Sequence, residues 1–599
     1  MSYVADVGIT ILLYIILGLS LNLLLGYAGQ VSMAQATFYG IGAYTAGLLT
    51  MPVLSAGATG IAARGVTSGQ GWNWVPALVV AVLVSLFFAS AISAPAARRV
   101  RGEYLILLTL AFQIVANQLM NALTNVTGGP YGLTPIPPFN ILGNTFIDPE
   151  PVFWIVLAFA AVSLVFCWGL TESPFGRVLK GLREDEIAVG ALGKSTVRAK
   201  ILIFGLSAAL AGMAGAIASY YYQFIAPGNY SLDLSIFLVA VVVLGGTGNL
   251  VGTVVGAVIL GALRPILQNI PAIGSATSIP WQSVIYGLGL VGMMLFRPQG
   301  IIPEGVGIGM LRRPRVAGGQ STSHAHETPG FEGVARSVGR TSEVNGGDNV
   351  VVEATGLSKR FGGVVAVNDV AMTLRSGRIT ALIGPNGAGK TTIFNLMTGA
   401  LRPDAGRVLV SGKNVVGKSP HQITRLGMTR SFQDVRVFQR LTVLQNVAMA
   451  VPGQSGENPL WLLGNPLQAR RDEKRTLEKA GSYLEFVSMA DKSGSLVSSL
   501  SFAEQKLVAI ARLLATECPV LLLDEPTSGI DSASVDRMIK LVLELRGLDK
   551  TICIVEHSVH VVEQLADHVY FLDQGRVIQE GTMKQLTSQK HLVELYFGT

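Results

Sequence analysis

The sequence predicts two halves of different chemistry: an α-helical polytopic membrane domain of about 8–9 spans, followed by an α/β P-loop nucleotide-binding domain. Three observations predict them. Apolar runs of membrane-spanning length recur before residue 300 and not after it. From Val350 on, short apolar β-rich runs alternate with helical patterns, as in an α/β domain with a largely parallel core. Within that half, Gly384–Thr391 reads GPNGAGKT, a match to G-x-x-x-x-G-K-[ST] set between a strand and a helix. The predicted organisation is a membrane domain at 1–311, a linker at 312–349 and a nucleotide-binding domain at 350–599.

Composition supports the division. A chain of 599 residues exceeds one ordinary domain, and half of its residues are hydrophobic. Mean hydropathy is +0.48. A net charge of +7 does not point to nucleic acid, because no Lys/Arg stripe with interleaved aromatics occurs and many basic residues flank apolar runs. The three cysteines, Cys167, Cys518 and Cys553, lie in or beside apolar runs without a CxxC pattern, which suits a reducing cytosolic side. The start, MSYVADVGITILLYIILGLSLNLLL, lacks a basic n-region and a cleavage site, and reads as a first span.

The apolar segments lie near 7–26, 31–50, 75–96, 104–123, 152–170, 201–222, 234–250, 252–270 and 280–296. The basic loops Arg98–Glu103 and Gly176–Glu186 are expected on the cytoplasmic side, and the stretch Thr124–Pro151, free of Lys and Arg, on the external side. With the soluble half inside, nine spans put the N-terminus outside. A re-entrant 31–50 gives eight and an inside N-terminus. The fourth segment carries Gln113, Asn117, Asn121 and Asn125 at i+4 intervals, a polar face for which lipid contact is costly. Such a face lines a translocation path or ties helices together by hydrogen bonds. Arg264 snorkels to the outer interface by default, or attracts a carboxylate there. In the linker, His324 and His326 read as a solvated pair rather than metal ligands.

The P-loop spacing has a chemical reason. Gly384, Pro385, Asn386, Gly387, Ala388 and Gly389 form a turn of mostly small residues whose backbone N–H groups can face phosphate oxygens, and the helix N-terminus adds its dipole. Lys390 reaches the β- and γ-phosphates, the Thr391 hydroxyl can ligate Mg²⁺, and Thr392 follows in the same turn. Pro519–Pro526, PVLLLDEP, is a buried strand ending in two acids. Asp524 suits the metal shell, and Glu525 suits a base that orients water.

With these motifs and LSFAEQ beginning at Leu500, residues 350–599 resemble the ATPase domain of ABC transporters. The resemblance implies that Phe361 stacks on adenine, that Gln433 is the Q-loop glutamine linking Mg²⁺ and water to the membrane domain, that Asp531 is the D-loop aspartate, and that His557 contacts the γ-phosphate. It also implies that Ser501 faces a phosphate held by a second ATPase domain. LSKRFGGVVAVNDV, TRSFQDVRVFQRLTVLQNV and HLVELYFGT are similar to the ATPase subunit of branched-chain amino acid importers (LivG type). In the first half, GYAGQVSMAQATFYGIGAYTAGLL, RGEYLILLTLAF, TGGPYGL and VVVLGGTGNLVGTVVGAVILG resemble the permease subunit of the same system (LivM type). REDEIAVGALG resembles the EAA loop of ABC importers, with coupling positions at Glu186, Ala188 and Gly193.

The resemblance implies ATP and Mg²⁺ as cofactors, and an inner-membrane protein whose ATPase domain is cytoplasmic. It implies two partners besides lipid: a second permease–ATPase half, identical or different, and an extracytoplasmic solute-binding protein. Nucleic acid is not expected. The expected activity is ATP-driven import of branched-chain or related amino acids, with urea or short amides as the alternative solutes. Export is the competing direction, but exporter halves have about six long helices reaching far into the cytosol, whereas the intracellular loops here are short. A non-hydrolysing regulator is the third reading, opposed by the retained Glu525 and His557. LSFAEQ departs from forms such as LSGGQ. Ala503 narrows the backbone options, and Glu504 brings a carboxylate that fits an S-x-x-E capping box with Ser501, so the ATP site this segment completes is expected to be the slower of two.

Overall fold

The computed structural model describes residues 2–52, 69–99, 103–141, 143–268 and 349–588, together with parts of 281–304. The predicted linker, its two histidines and the ending HLVELYFGT lie outside these residues except for Asn349. The chain divides into two compact units, Met1–Arg183 with Val197–Ser321, and Glu184–Thr196 with Thr322–Thr599.

The first unit is helical. Its elements in order are α1 (Ser2–Asn22), α2 (Gln35–Thr50), α3 (Trp74–Arg99), α4 (Glu103–Ala122), the short α5 (Thr124–Thr127), α6 (Pro149–Thr171) and α7 (Pro174–Glu184). After α8 (Glu186–Ala191), which belongs to the second unit, come α9 (Thr196–Tyr222), α10 (Leu232–Gly245) and α11 (Leu250–Gln268). Among the described residues, 7 helices are long and apolar enough to cross a membrane. They correspond to α1 with its π-helical extension Leu23–Tyr27, α3, α4, α6, α9, α10 and α11.

The segment near 31–50 is different. Residues 28–34 are not helical, and α2 has only 16 residues, a rise of about 24 Å at 1.5 Å each against a hydrocarbon core of about 30 Å. The backbone at this break is satisfied by protein rather than by solvent. Met33 N–H donates to Thr109 Oγ1, Ala36 N–H to Ser235 Oγ and Thr37 N–H to Gln113 Oε1, at 3.1, 3.1 and 2.9 Å. Non-helical backbone at membrane depth is tolerated only when protected in this way. A small hairpin, β1 (Phe139–Ile141) with β2 (Asn144–Phe146), interrupts the stretch between α5 and α6.

The second unit contains two sheets. One holds β3 (Val350–Phe361), β4 (Val364–Arg375), β6 (Ala405–Val410) and β7 (Lys413–Asn414), ordered β4-β3-β6-β7 and antiparallel. The other holds β5 (Ile379–Ile383), β8 (Met428–Arg430), β9 (Val520–Asp524), β10 (Thr551–Val555), β11 (His568–Asp573) and β12 (Arg576–Gly581). Its order is β12-β11-β5-β10-β9-β8, parallel except for β12. Every residue of β5, β9 and β10 is buried. Continuous apolar runs such as VLLLD are what a parallel strand covered on both faces requires. The register sets Val555 beside Asp524, so the chain leaving β10 runs next to the acids at the end of β9.

Candidate functional site

The P-loop leaves the buried end of β5 and enters the helix Lys390–Met397. Gly389, at φ +104, caps that helix in a left-handed conformation, and a Cβ there would run into the Ala366 carbonyl. Only glycine fits both demands. Lys390 is 6% exposed, and its ammonium donates to the carbonyls of Gly384 and Pro385 at 2.7 and 2.9 Å. Burial lowers its pKa, while Glu525 and Asp524 pull it upward. Thr391 is exposed and Thr392 half-buried. Phe361, at the end of β3, is 46% exposed rather than part of the core, with the Lys359 ammonium 5.8 Å from its ring centroid.

Four predicted residues meet at the end of β9. The Gln433 amide donates to Glu525 Oε1 at 3.1 Å, and His557 Nε2 lies 3.1 Å from the same oxygen. Glu525 has φ +47, left-handed backbone that a side chain adopts only under constraint. Its N–H is held by the Val555 carbonyl at 2.9 Å. Next to it, Asp524 is 2% exposed and neither carboxylate oxygen has a hydrogen-bond partner. Burial pushes its carboxyl up to about 6, against the pull of Arg430 and Lys390. Two buried, unsatisfied carboxylate oxygens fit a divalent cation, which takes oxygen ligands. Arg430 itself donates to Asn395 Oδ1 at 2.6 Å and lies 4.6 Å from the Phe432 ring centroid.

Ser501 caps the helix Phe502–Leu514, and the expected capping box with Glu504 is formed. The Glu504 carboxylate accepts from Ser501 N–H at 2.9 Å, and the Ser501 hydroxyl from Glu504 N–H at 3.4 Å. Asp531 caps Ser532–Gly547, accepting from the Ser534 N–H and hydroxyl at 3.0 and 2.8 Å.

The segment Glu184–Thr196, although it lies in sequence between stretches of the first unit, is part of the nucleotide-binding unit. Asp185 caps α8 by accepting from Ile187 and Ala188 N–H at 2.9 and 3.0 Å, and its other oxygen pairs with Arg436 at 2.9 Å. Glu184 accepts from the backbone N–H groups of Gln439 and Arg440. At the far end of α8, the Ala191 carbonyl accepts from the Thr424 and Thr429 hydroxyls at 2.9 and 3.2 Å. Lys194, 5% exposed, donates to the Val451 carbonyl and pairs with Glu457 at 2.8 and 2.5 Å. Of the predicted coupling positions, Ala188 is fully buried, Glu186 lies in the first turn of α8, and Gly193 has φ +80 with a Cβ position 3.3 Å from Thr424 Cγ2. A cavity of about 30 Å³ beside α8 is lined by Ala188, Phe432, Arg436, Arg512 and Asp524 among others. Arg512 is buried with Nε and Nη1 unpaired, its pKa brought down to about 10 by burial.

Sequence reasoning missed Glu184, Asp185, Lys194, Thr424, Thr429 and Arg436. An Asp before EIAVGA is a readable helix-start signal. The other contacts join positions more than 200 residues apart and leave no local trace.

The membrane amides need a correction. Gln113 is buried and fully engaged, accepting from Thr37 N–H and hydroxyl and donating to the Tyr230 carbonyl. Asn117 donates to the Pro227 carbonyl at 2.9 Å, and Asn121 to the Asn117 carbonyl. Asn125 does not continue this face. α4 ends at Ala122, Leu123 turns out of the helix, and Asn125 stands exposed on α5. Gln113 thus joins α4 to α2 and to the turn Pro227–Tyr230, and Asn117 joins α4 to that turn, whereas the Asn121 bond stays within α4. The Arg264 side chain lies outside the described residues.

A P-loop, paired acids at a strand end and a capped signature helix on a parallel sheet, joined to a polytopic helical unit, define an ABC-type transport ATPase. Residues 3–294 match the family model for the permease component of the branched-chain amino acid transport system, and residues 367–528 match the ABC transporter model. The high-affinity branched-chain amino acid transport ATP-binding protein BraF of Pseudomonas aeruginosa is 33% identical over 249 residues, 41% of this chain and 98% of the relative. The corresponding LivG of Escherichia coli is 34% identical over 249 residues, again 41% and 98%. A probable LivG of Archaeoglobus fulgidus is 34% identical over 248 residues, 41% and 95%. The chain belongs to the ABC transporters of this family, as a membrane-integral permease domain fused to its ATP-binding domain. It binds ATP and couples its hydrolysis to transmembrane transport.

Proposed function

We propose that the chain imports branched-chain or closely related amino acids across the inner membrane, with its ATPase half on the cytoplasmic side. The observation that carries this reading is the seating of Glu184–Thr196 within the ATPase unit through Glu184, Asp185, Ala191 and Lys194. A short loop with EAA-like sequence, held by both its cap and its last carbonyl, is the coupling device of an importer rather than the long helical arm of an exporter. The names of the relatives, all of branched-chain amino acid transport, support the solute class.

The residues act as follows. Gly384–Thr392 hold the phosphates, with Lys390 exchanging its carbonyl contacts for phosphate oxygens, and Phe361 offers its exposed ring to adenine. Glu525, steadied by Gln433 and His557 on one oxygen, orients the attacking water with the other. Thr391, Gln433 and Asp524 would hold Mg²⁺, which would supply positive charge against the triphosphate. Ser501 and the N-terminus of its helix meet the γ-phosphate of ATP held by a second ATPase domain, with Asp531 at the same junction. The working assembly therefore includes a second permease–ATPase half, identical or different, and an external solute-binding protein. Glu186, Ala188 and Gly193 transmit closure of the ATPase pair to the membrane helices.

The test is ATP turnover by the reconstituted transporter in the presence of its binding protein. Stimulation by the binding protein loaded with leucine, isoleucine or valine supports the reading. Stimulation by urea or a short amide instead moves the solute class, and stimulation by no loaded binding protein refutes import.

A further inference from the structure

The acid in LSFAEQ is not left bare. Glu504 Oε2 reaches back to Ser501 N–H, and Oε1 is gripped by the ammonium of Lys492, which arrives from the short helical turn Ala490–Lys492. Both oxygens are thereby committed to the flank of the helix. The N–H groups of Phe502 and Ala503, in the first turn, are the ones left for an external acceptor. Glutamine in the same place makes the same backward contact without a charge. An acid here introduces one negative charge into the turn, and Lys492 returns one positive charge to it.

We propose that Lys492 is a positioning residue of the signature: it holds and neutralises Glu504 so that the start of this helix stays attractive to the γ-phosphate of ATP bound by the second ATPase domain. The proposal rests on the reading above that this helix faces that phosphate. It also revises the expectation that Glu504 slows this site, because the charge carries its own counter-ion. The lysine and the Ser501 N–H hold the Glu504 carboxyl below the usual carboxylate range, so the pair is ionic at neutral pH. With side chains 40% and 26% exposed, the pair is partly screened, and its effect on ATP use is set at about 2–5-fold.

The experiment compares Lys492→Met, Lys492→Arg, Glu504→Gln, the double Lys492→Met/Glu504→Gln and Ala503→Asp in the assembled full-length transporter. kcat and KM for ATP are read at low and high salt. Lys492→Met should raise KM for ATP about 2–5-fold with a smaller change in kcat. Lys492→Arg should behave like the parent, and the double variant should return KM to the parental value. The Lys492→Met defect should shrink at high salt, as the screening length falls from about 10 Å at 0.1 M to about 3 Å at 1 M. A parental KM for Lys492→Met, or a double variant no better than Lys492→Met, overturns the proposal. A pair that only stabilises the helix gives a defect that Glu504→Gln does not relieve, which also overturns it. Ala503→Asp places a carboxylate in the same turn without a lysine partner and should impair ATP use whatever Lys492 does. If it does not, the reading that this helix faces ATP fails, independently of Lys492.

Discussion

Asp185 offers the sharpest perturbation of coupling, because its two oxygens do separate things. One caps α8 through the N–H groups of Ile187 and Ala188, and the other pairs with Arg436, with both side chains less than a third exposed. Asp185→Ala removes both. Loss of an N-cap costs about 0.5–2 kcal/mol, and loss of a partly exposed ion pair about 0.2–1 kcal/mol, so the sum is about 1–3 kcal/mol. If the seated and released forms of the segment are in equilibrium, that sum shifts their ratio about 5–150-fold. Asp185→Asn keeps a capping oxygen and loses only the charge, about 1 kcal/mol or less. The assay is solute moved per ATP hydrolysed in proteoliposomes. The alanine variant should lose most of its transport while keeping much of its ATPase activity, and the asparagine variant should fall between it and the parent. Parental stoichiometry in Asp185→Ala would refute the role given to this segment.

Other outcomes can be stated more briefly. Glu525→Gln should leave ATP binding intact and suppress hydrolysis at its site in a single-turnover assay, since only the water-orienting base is lost. Lys390→Ala should weaken nucleotide binding itself, measured by equilibrium titration with a fluorescent ATP analogue. Gly193→Ala forces a side chain into left-handed backbone at φ +80, at a cost of about 1–2 kcal/mol, and presses on Thr424; transport should fall further than hydrolysis. All three cysteines are free and buried, and burial pushes the Cys518 thiol up to about 11. Alkylation by iodoacetamide at neutral pH should therefore be slow in the native protein and become fast for all three on denaturation.

What was legible in the sequence was local. The P-loop, the acids ending VLLLD and the Ser501–Glu504 box each rest on residues a few positions apart, where spacing alone determines geometry. The meeting of Gln433, Glu525 and His557 depends instead on β10 lying beside β9 in parallel register, an order the strands do not declare individually. The i+4 argument for Asn125 holds only along an unbroken helix, and the turn at Leu123 ends α4 before that residue. Lys492 escaped notice because it belongs to a different turn, twelve positions from the carboxylate it holds. The seating of α8 was suggested by its resemblance to a coupling loop, while the threonines and the arginine that hold it lie more than 200 residues further along the chain.

The most direct test of the central claim is vectorial. The chain and its second half are reconstituted into sealed proteoliposomes, with ATP on the side of the ATPase domain and leucine-loaded binding protein on the other. The account predicts that leucine accumulates on the ATP side, that accumulation requires hydrolysis, and that Glu525→Gln abolishes it. Movement of leucine away from the ATP side, or accumulation that persists in Glu525→Gln, would contradict it.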